Sequence, residues 1–130
     1  MEVEQYSYKH PTSFIISGAT QSGKSTFVKN LLINKENLIQ PPPKVTYLIY
    51  KIWQPIFTEM QEMGLVTKCI EGMPDMDELF NLLRGHKNNG GSIVIFDDMG
   101  TEIKKHHEKF IELFAVFSHH IKLVYKHNNT

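Results

Sequence analysis

Apolar residues along this chain fall into two kinds of segment that alternate from one end to the other. Short runs rich in β-branched and aromatic residues are typical of buried strands, and they predict strands at 14–16, 45–50, 66–70, 92–96 and 123–125. Between these runs, apolar residues recur at helical spacing and predict helices at about 24–34, 55–63, 75–83 and 106–118. Strands that alternate with helices of crossover length predict a parallel sheet covered by helices on both faces.

A single domain accounts for this whole pattern. Residues 1–12 are polar and predict an extended lead-in, whereas residues 13–130 carry the alternating elements. With 130 residues and 41% hydrophobic content, the chain has enough apolar material for one core. We therefore expect an α/β domain that binds its ligand beyond the carboxyl ends of its strands, as sheets of this kind do.

The loop after the first predicted strand carries the sharpest chemical motif. Its sequence is Gly18-Ala19-Thr20-Gln21-Ser22-Gly23-Lys24-Ser25, followed by Thr26. The two glycines permit backbone angles that a Cβ would block, so that successive N–H groups can turn inward and bind an anion. Lys24 then supplies a charge for the β and γ phosphates, and the Ser25 hydroxyl supplies an oxygen ligand for Mg²⁺. The pattern predicts a P-loop NTPase, a three-layer α/β/α sandwich that binds nucleotide through residues 18–26.

Two carboxylates follow the clearest predicted strand. Asp97 and Asp98 come directly after residues 93–96, which are all apolar. In a P-loop enzyme a carboxylate at such a strand end coordinates Mg²⁺ opposite the P-loop hydroxyl, and we assign this role to Asp97. Asp98 is expected to polarise the attacking water, with Glu102 as the alternative. The expected catalytic residues are therefore Lys24 and Asp98. ATP is favoured over GTP because the sequence has no NKxD-like guanine-reading motif.

Composition adds little to this interpretation. The formal net charge is 0, so bulk charge gives no argument for nucleic-acid binding, although residues 101–130 are slightly basic. The single cysteine excludes an intrachain disulfide, which fits a reducing compartment. The start has no apolar secretory signal, and no apolar run approaches the roughly 20 residues that span a bilayer. These features predict a soluble intracellular protein, in the cytoplasm or the nucleus, without membrane contact.

Several other residues allow more than one interpretation. The pairs His106-His107 and His119-His120 have no partners at zinc-ligand spacing, so we expect no metal there. Ser118 and the second pair are expected at a helix end, where they either contact the γ-phosphate region or a neighbouring subunit, or simply stabilise the helix terminus. Trp53 could stack on a base but is expected to pack in the core. Asn128 is either a γ-phosphate sensor or part of an ordinary turn.

The motifs resemble those of the FtsK–HerA-type packaging ATPases of Polinton (Maverick) elements, adintoviruses and large DNA viruses. The resemblance covers roughly residues 10–129, and the residues that carry it lie in four segments, 17–25, 70–74, 95–99 and 113–120. It implies an ATPase that forms a homo-oligomeric ring and pumps double-stranded DNA into a capsid. It also implies that Lys24 and Ser25 bind nucleotide and Mg²⁺, that Asp97 coordinates the metal, and that Asp98 activates water.

The chain departs from this family toward its carboxyl end. Asn128 stands where the family has Gln, two residues are missing before it, and the family continues with further strands and an arginine-bearing segment. Arg84 is the only arginine here, so no arginine finger is evident. An alternative function is therefore a nucleotide-binding module with little turnover, a truncated or decayed copy. A nucleoside or small-molecule kinase is a third hypothesis, but such enzymes clamp phosphates with several arginines.

Overall fold

Among the residues that the structure describes, a five-stranded parallel sheet forms the centre of the fold. The computed structural model describes the backbone of residues 6–7, 12–18, 22–40, 42–86, 91–116 and 119–122, and the side chains of Ile16 and residues 26–37, 42–86 and 91–112. The strands are β1 Tyr6–Ser7, β2 Thr12–Gly18, β3 Ile39–Gln40, β4 Val45–Tyr50, β5 Lys68–Glu71, β6 Gly91–Asp97 and β7 His119–Lys122. The helices are α1 Ser22–Ile33, α2 Lys35–Leu38, α3 Pro55–Glu62, α4 Met76–Arg84, α5 Gly100–Lys105 and α6 His107–Val116.

The sheet separates two hydrophobic clusters. Its strand order is β5-β4-β6-β2-β7, and every pairing described within it is parallel; β1 and β3 form a separate two-stranded parallel pair. Val94 and Phe96 of β6 pack on one face with α4 and Phe110 of α6. Ile93 and Ile95 pack on the other face with α1 and α3. Alternate residues of β6 thus enter opposite cores, and the predicted three-layer α/β arrangement is confirmed.

The connections between strands explain why the helices divide in this way. The crossovers from β2 to β4 and from β4 to β5 run toward one edge of the sheet, and their helices α1 and α3 share one face. The crossovers from β5 to β6 and from β6 to β7 run toward the other edge, and α4 and α6 share the opposite face. This is the arrangement expected when all four crossovers have the same hand. The connection after β6 therefore lies on one face of the sheet. The connections after its two neighbours, β2 and β4, lie on the opposite face.

The structure corrects the prediction for the last third of the chain. The helix expected at 106–118 is confirmed as α6, His107–Val116, and it is preceded by a helix that the prediction missed, α5, which ends at Lys105. The sequence signal missed α5 because Ile103 is its only large apolar residue. The last strand among the described residues, β7, begins at His119, and the strand predicted at 123–125 lies outside those residues. Backbone pairing with β2 makes His119–Lys122 a strand although its side chains show no strand pattern.

Helix α4 has a well-defined start. Asp75 is its N-cap, and its Oδ1 accepts hydrogen bonds from the backbone N–H groups of Asp77 at 3.0 Å and Glu78 at 3.1 Å. Two of the N–H groups that lack a partner within the helix are thereby satisfied. The helix then packs Met76, Leu79, Phe80 and Leu83 against the sheet.

The Asp75→Ala substitution should lower the free energy of unfolding by about 1 kcal/mol, because it removes both capping bonds. Urea denaturation monitored by circular dichroism measures the change. Asp75→Ser keeps a hydroxyl acceptor at the cap and should recover most of the lost stability. If the serine variant were as unstable as the alanine variant, capping would not be the cause.

No helix among the residues that the structure describes is both long enough and apolar enough to cross a membrane.

Candidate functional site

The two sharpest motifs of the sequence meet at one edge of the sheet. Strands β2 and β6 are neighbours, and their register pairs Gly18, the first residue of the phosphate-loop motif, with Asp97. On the other side of β6, Asp97 pairs with Tyr50, the last residue of β4. The chain leaves β6 toward one face of the sheet and leaves β2 and β4 toward the other. In α/β proteins, ligands bind at the carboxyl ends of the strands where the connections diverge in this way.

The phosphate-loop motif has the backbone context that it requires. Strand β2 ends at Gly18 and helix α1 begins at Ser22, so the expected strand–loop–helix arrangement is confirmed. Gly23, Lys24 and Ser25 lie in the first turn of α1, and Thr26 follows as an exposed residue. Ala19, Thr20 and Gln21 lie outside the described residues. The amino end of this 12-residue helix carries a partial positive charge and faces the loop, which is the usual environment for a bound phosphate.

Asp97 is a buried carboxylate with an identified hydrogen-bond donor. Its side chain is 1% exposed, and its Oδ2 accepts a hydrogen bond of 3.0 Å from Nε2 of Gln54. Gln54 precedes α3 and lies 43 residues away along the chain, so the pairing of β4 with β6 brings the two side chains together. A buried carboxylate without such donors would be costly. The fold therefore holds the side chain of Asp97 beside Gly18, where the phosphate-loop motif begins.

Asp98 and Glu102, the two candidates for activating water, have different surroundings. Asp98 is exposed and adopts a left-handed backbone conformation with φ of 56°, which is uncommon for a residue with a Cβ. Glu102, on α5, is half-buried, and its Oε1 lies 3.6 Å from Nζ of Lys51. Its Oε2 is buried and has no hydrogen-bond partner among the described residues. A buried acceptor of this kind is available to a water molecule or a ligand.

Aromatic residues cover the end of β4 beside these groups. Trp53 contacts Tyr50 and Phe57 edge to face, with ring centroids 5.1 and 5.5 Å apart, and its Nε1 donates to Oγ1 of Thr58 at 2.9 Å. The core position expected for Trp53 is only partly right, because 38% of the residue remains exposed. The rings of Tyr50, Trp53 and Phe57 therefore lie at the edge of the core next to Gln54, and the Trp53 ring is partly exposed to solvent.

The two tyrosines of β4 enter different cores. Tyr47 lies in the cluster with α4, whereas Tyr50 packs against the cluster with α1 and α3, as their positions along the strand predict. The hydroxyl of Tyr47 is hydrogen bonded to Nε2 of His86. Burial raises the pKa of Tyr47, so the phenol stays protonated at neutral pH. Tyr47 is thus a core residue outside the candidate site.

The second histidine pair is displaced from the place that the sequence suggested. His119 and His120 begin strand β7 instead of ending a helix, and they pair with Phe14 and Ile15 of β2. The register therefore places them several residues before Gly18 along the sheet, away from the edge where the phosphate loop begins. The expected position of this pair at a helix end is therefore wrong. Ser118 and Asn128 lie outside the described residues.

Among the described residues, no group of three or more His, Cys, Asp or Glu side chains is arranged to hold a metal ion by itself.

Arg84, the only arginine, lies in the last turn of α4 over the ring of Phe80. Helix α4 leads from the carboxyl end of β5 back to the amino end of β6. Arg84 therefore lies toward the edge of the sheet opposite to Asp97.

Sequence reasoning missed Gln54 and Lys51, the residues that contact Asp97 and Glu102. Both follow strand β4, and polar residues directly after a strand were the signal that identified Asp97. The sequence could have marked them as residues of the same edge. Only the strand order shows that β4 lies beside β6 and not beside β2.

Comparison of the chain with models of known protein families, with curated proteins and with solved structures found no match in any of the three.

Proposed function

We propose that this protein is an ATPase that binds Mg-ATP through residues 18–26 and hydrolyses it. The observation that carries the proposal is the register of β2 and β6, which makes Gly18 the direct neighbour of the buried Asp97. Phosphate binding needs inward-facing N–H groups at a helix start, and Mg²⁺ binding needs hard oxygen ligands close by. The start of α1 and the carboxylate of Asp97, which could supply these two kinds of group, follow neighbouring strands at one edge of the sheet although they lie far apart in the sequence.

The residues at this edge fit a nucleotide with its metal ion. Ser25, in the first turn of α1, and Asp97, at the end of β6, offer a hydroxyl and a carboxylate, which are oxygen donors that suit Mg²⁺. When bound, Mg²⁺ neutralises charge on the β and γ phosphates. Lys24 contributes a further positive charge, and the loop N–H groups orient the phosphate chain. Catalysis in such a site is mostly positioning and charge stabilisation.

Asp98 and Glu102 are the candidates for orienting the attacking water. Asp98 follows the metal-binding carboxylate directly, which is the position that the resemblance to packaging ATPases implies. Glu102 is favoured by its surroundings, because one carboxylate oxygen faces Lys51 and the other is buried without a partner among the described residues. A carboxylate that accepts a hydrogen bond from water draws the proton away as the bond to phosphorus forms.

The resemblance extends the proposal to an ATPase that translocates double-stranded DNA as a homo-oligomeric ring. In ring ATPases of this type, charge on the transferred phosphate is neutralised by an arginine from a neighbouring subunit. Arg84 lies toward the opposite edge of the sheet, which makes it unsuitable for its own subunit's site. The presence of a single arginine in the sequence favours, as a second candidate function, a nucleotide-binding module with little turnover, because a missing arginine finger can cost roughly 10³-fold or more in rate.

Two measurements on one sample test the proposal. Isothermal titration should show saturable ATP binding that is strengthened by Mg²⁺, and a steady-state assay should show phosphate release above that of a Lys24→Ala control. Binding with release no faster than the control would identify the module instead of the ATPase. Failure to bind Mg-ATP at millimolar concentration would overturn the proposal. Faster release in the presence of double-stranded DNA would support the translocating function.

A further inference from the structure

Gln54 occupies a position that suits another residue type better. It is the N-cap of α3, with an extended backbone at φ −123° and ψ 148°, and its side chain makes no capping hydrogen bond. Ser, Thr, Asp and Asn are strongly preferred at this position because their short side chains reach the free N–H groups of the first turn. A residue that breaks a local rule of stability often serves a site elsewhere in the fold.

The side chain of Gln54 reaches across to another strand. Its Nε2 donates to Oδ2 of Asp97 at 3.0 Å, and the bond is partly buried. The terminal torsion of an aspartate side chain is broad, so the carboxylate plane of Asp97 is not determined by its rotamer alone. A donor attached to a different element restricts that plane. Groups that orient metal ligands in this way commonly affect metal affinity or activity by 10- to 100-fold.

We infer that Gln54 is a positioning residue, which orients the carboxylate of Asp97 and thereby determines how strongly Mg²⁺ strengthens nucleotide binding. The inference rests on the proposed function, because it assumes that Asp97 is a ligand of Mg²⁺ bound with the nucleotide. Gln54 itself does not contact the nucleotide in this account. Its hydrogen bond to Oδ2 of Asp97 holds the carboxylate in a single orientation, in which the carboxylate can bind the metal ion.

A purely structural role for Gln54 predicts a different result. The segment between β4 and α3 has other attachments, since Lys51 pairs with Glu102 and Trp53 packs on Tyr50 and donates to Thr58. Replacing Gln54 should therefore leave this segment in place. A residue that only holds the segment would change stability without changing the effect of Mg²⁺.

The Gln54→Ser substitution separates the two roles. Serine is too short to reach Asp97, but it is a preferred N-cap and should stabilise the start of α3. Gln54→Ala removes the bond to Asp97 without adding a cap. Gln61→Ala is the matched control, because Gln61 is an exposed glutamine of the same helix and donates to Cys69, away from Asp97.

Isothermal titration with ADP provides the readout, once in excess Mg²⁺ and once in EDTA. The ratio of the two dissociation constants measures the contribution of Mg²⁺ without any catalytic turnover. We expect this ratio to fall roughly tenfold in both Gln54 variants. ADP binding in EDTA should be unchanged in both, and Gln61→Ala should match the wild type. Urea denaturation should show Gln54→Ser to be more stable than Gln54→Ala.

Each outcome has a separate meaning. If folded Gln54→Ser and Gln54→Ala kept the wild-type ratio, the role of Gln54 would be disproved while the proposed function stood. If the wild-type protein bound ADP no better with Mg²⁺ than with EDTA, or did not bind it, the proposed site itself would be wrong. Trp53 is the only tryptophan of the chain and is next to Gln54, so its fluorescence in each variant reports whether the segment keeps its native contacts.

Discussion

Replacing Lys24 with alanine should weaken Mg-ATP binding about 100-fold or more and reduce phosphate release to background. A hydrogen bond to a charged group contributes about 1.5–3 kcal/mol, and a P-loop lysine makes such contacts with the β and γ phosphates. A loss of about 2.7 kcal/mol corresponds to 100-fold in the dissociation constant. Isothermal titration with a slowly hydrolysed ATP analogue measures the change directly.

Lys29→Ala is the matched control for this substitution. Lys29 lies on the same helix, and its Nζ is 3.6 Å from Oε1 of Glu59 on α3. Partly exposed ion pairs of this kind contribute less than about 1 kcal/mol to stability. The control removes the same charge from α1 and should leave nucleotide affinity near the wild-type value. Equal affinity in the wild type and Lys24→Ala would show that the phosphates bind elsewhere.

Replacing Phe96 with alanine should lower the free energy of unfolding by about 3–5 kcal/mol. Phe96 lies in the central strand β6 with no solvent exposure, and its ring meets Phe110 of α6 edge to face with centroids 5.3 Å apart. The substitution removes the ring and leaves a cavity that the surrounding strands cannot fill. Since domains are stable by only about 5–15 kcal/mol, the midpoint of thermal unfolding should fall by about 10–20 °C.

Two variants control for this effect. Ile111 is an apolar residue next to Phe110, and it is 52% exposed. The Ile111→Ala substitution should therefore change the free energy of unfolding by no more than about 0.5 kcal/mol. Phe96→Leu leaves a smaller cavity and should cost clearly less than the alanine substitution. A similar loss in all three variants would mean that burial against α6 is not the source of the stability. Calorimetry or urea denaturation provides the measurement.

Much of the fold could be predicted because its signals are local. Strand β4 has the predicted bounds, 45–50, because its run of apolar and β-branched residues is followed by polar ones. Helix α4 begins directly after Asp75 because a short acidic side chain caps free N–H groups within three residues. The loop after β2 was likewise predictable, because its glycines allow the backbone turn from a strand into a helix.

The same local signals failed at two places in the last third of the chain. Helix α5 carries only Ile103 as a large apolar residue, so no periodic pattern marks it. His119–Lys122 forms a strand because the backbone of β2 offers an edge to pair with, although the sequence suggested a helix end. For this strand the free energy comes from pairing with β2, which overrides the preferences of the segment itself.

The groups proposed for the site could be named from the sequence alone: a glycine-rich loop with Lys24 after one strand, and Asp97 at the end of another. Their arrangement in space depends on the order of strands, which places β6 between β2 and β4. That order makes Gly18 the neighbour of Asp97 and brings Gln54 within hydrogen-bonding distance. Strand order depends on which pairing of distant segments buries both faces of the sheet, and no periodic pattern within one segment encodes that choice.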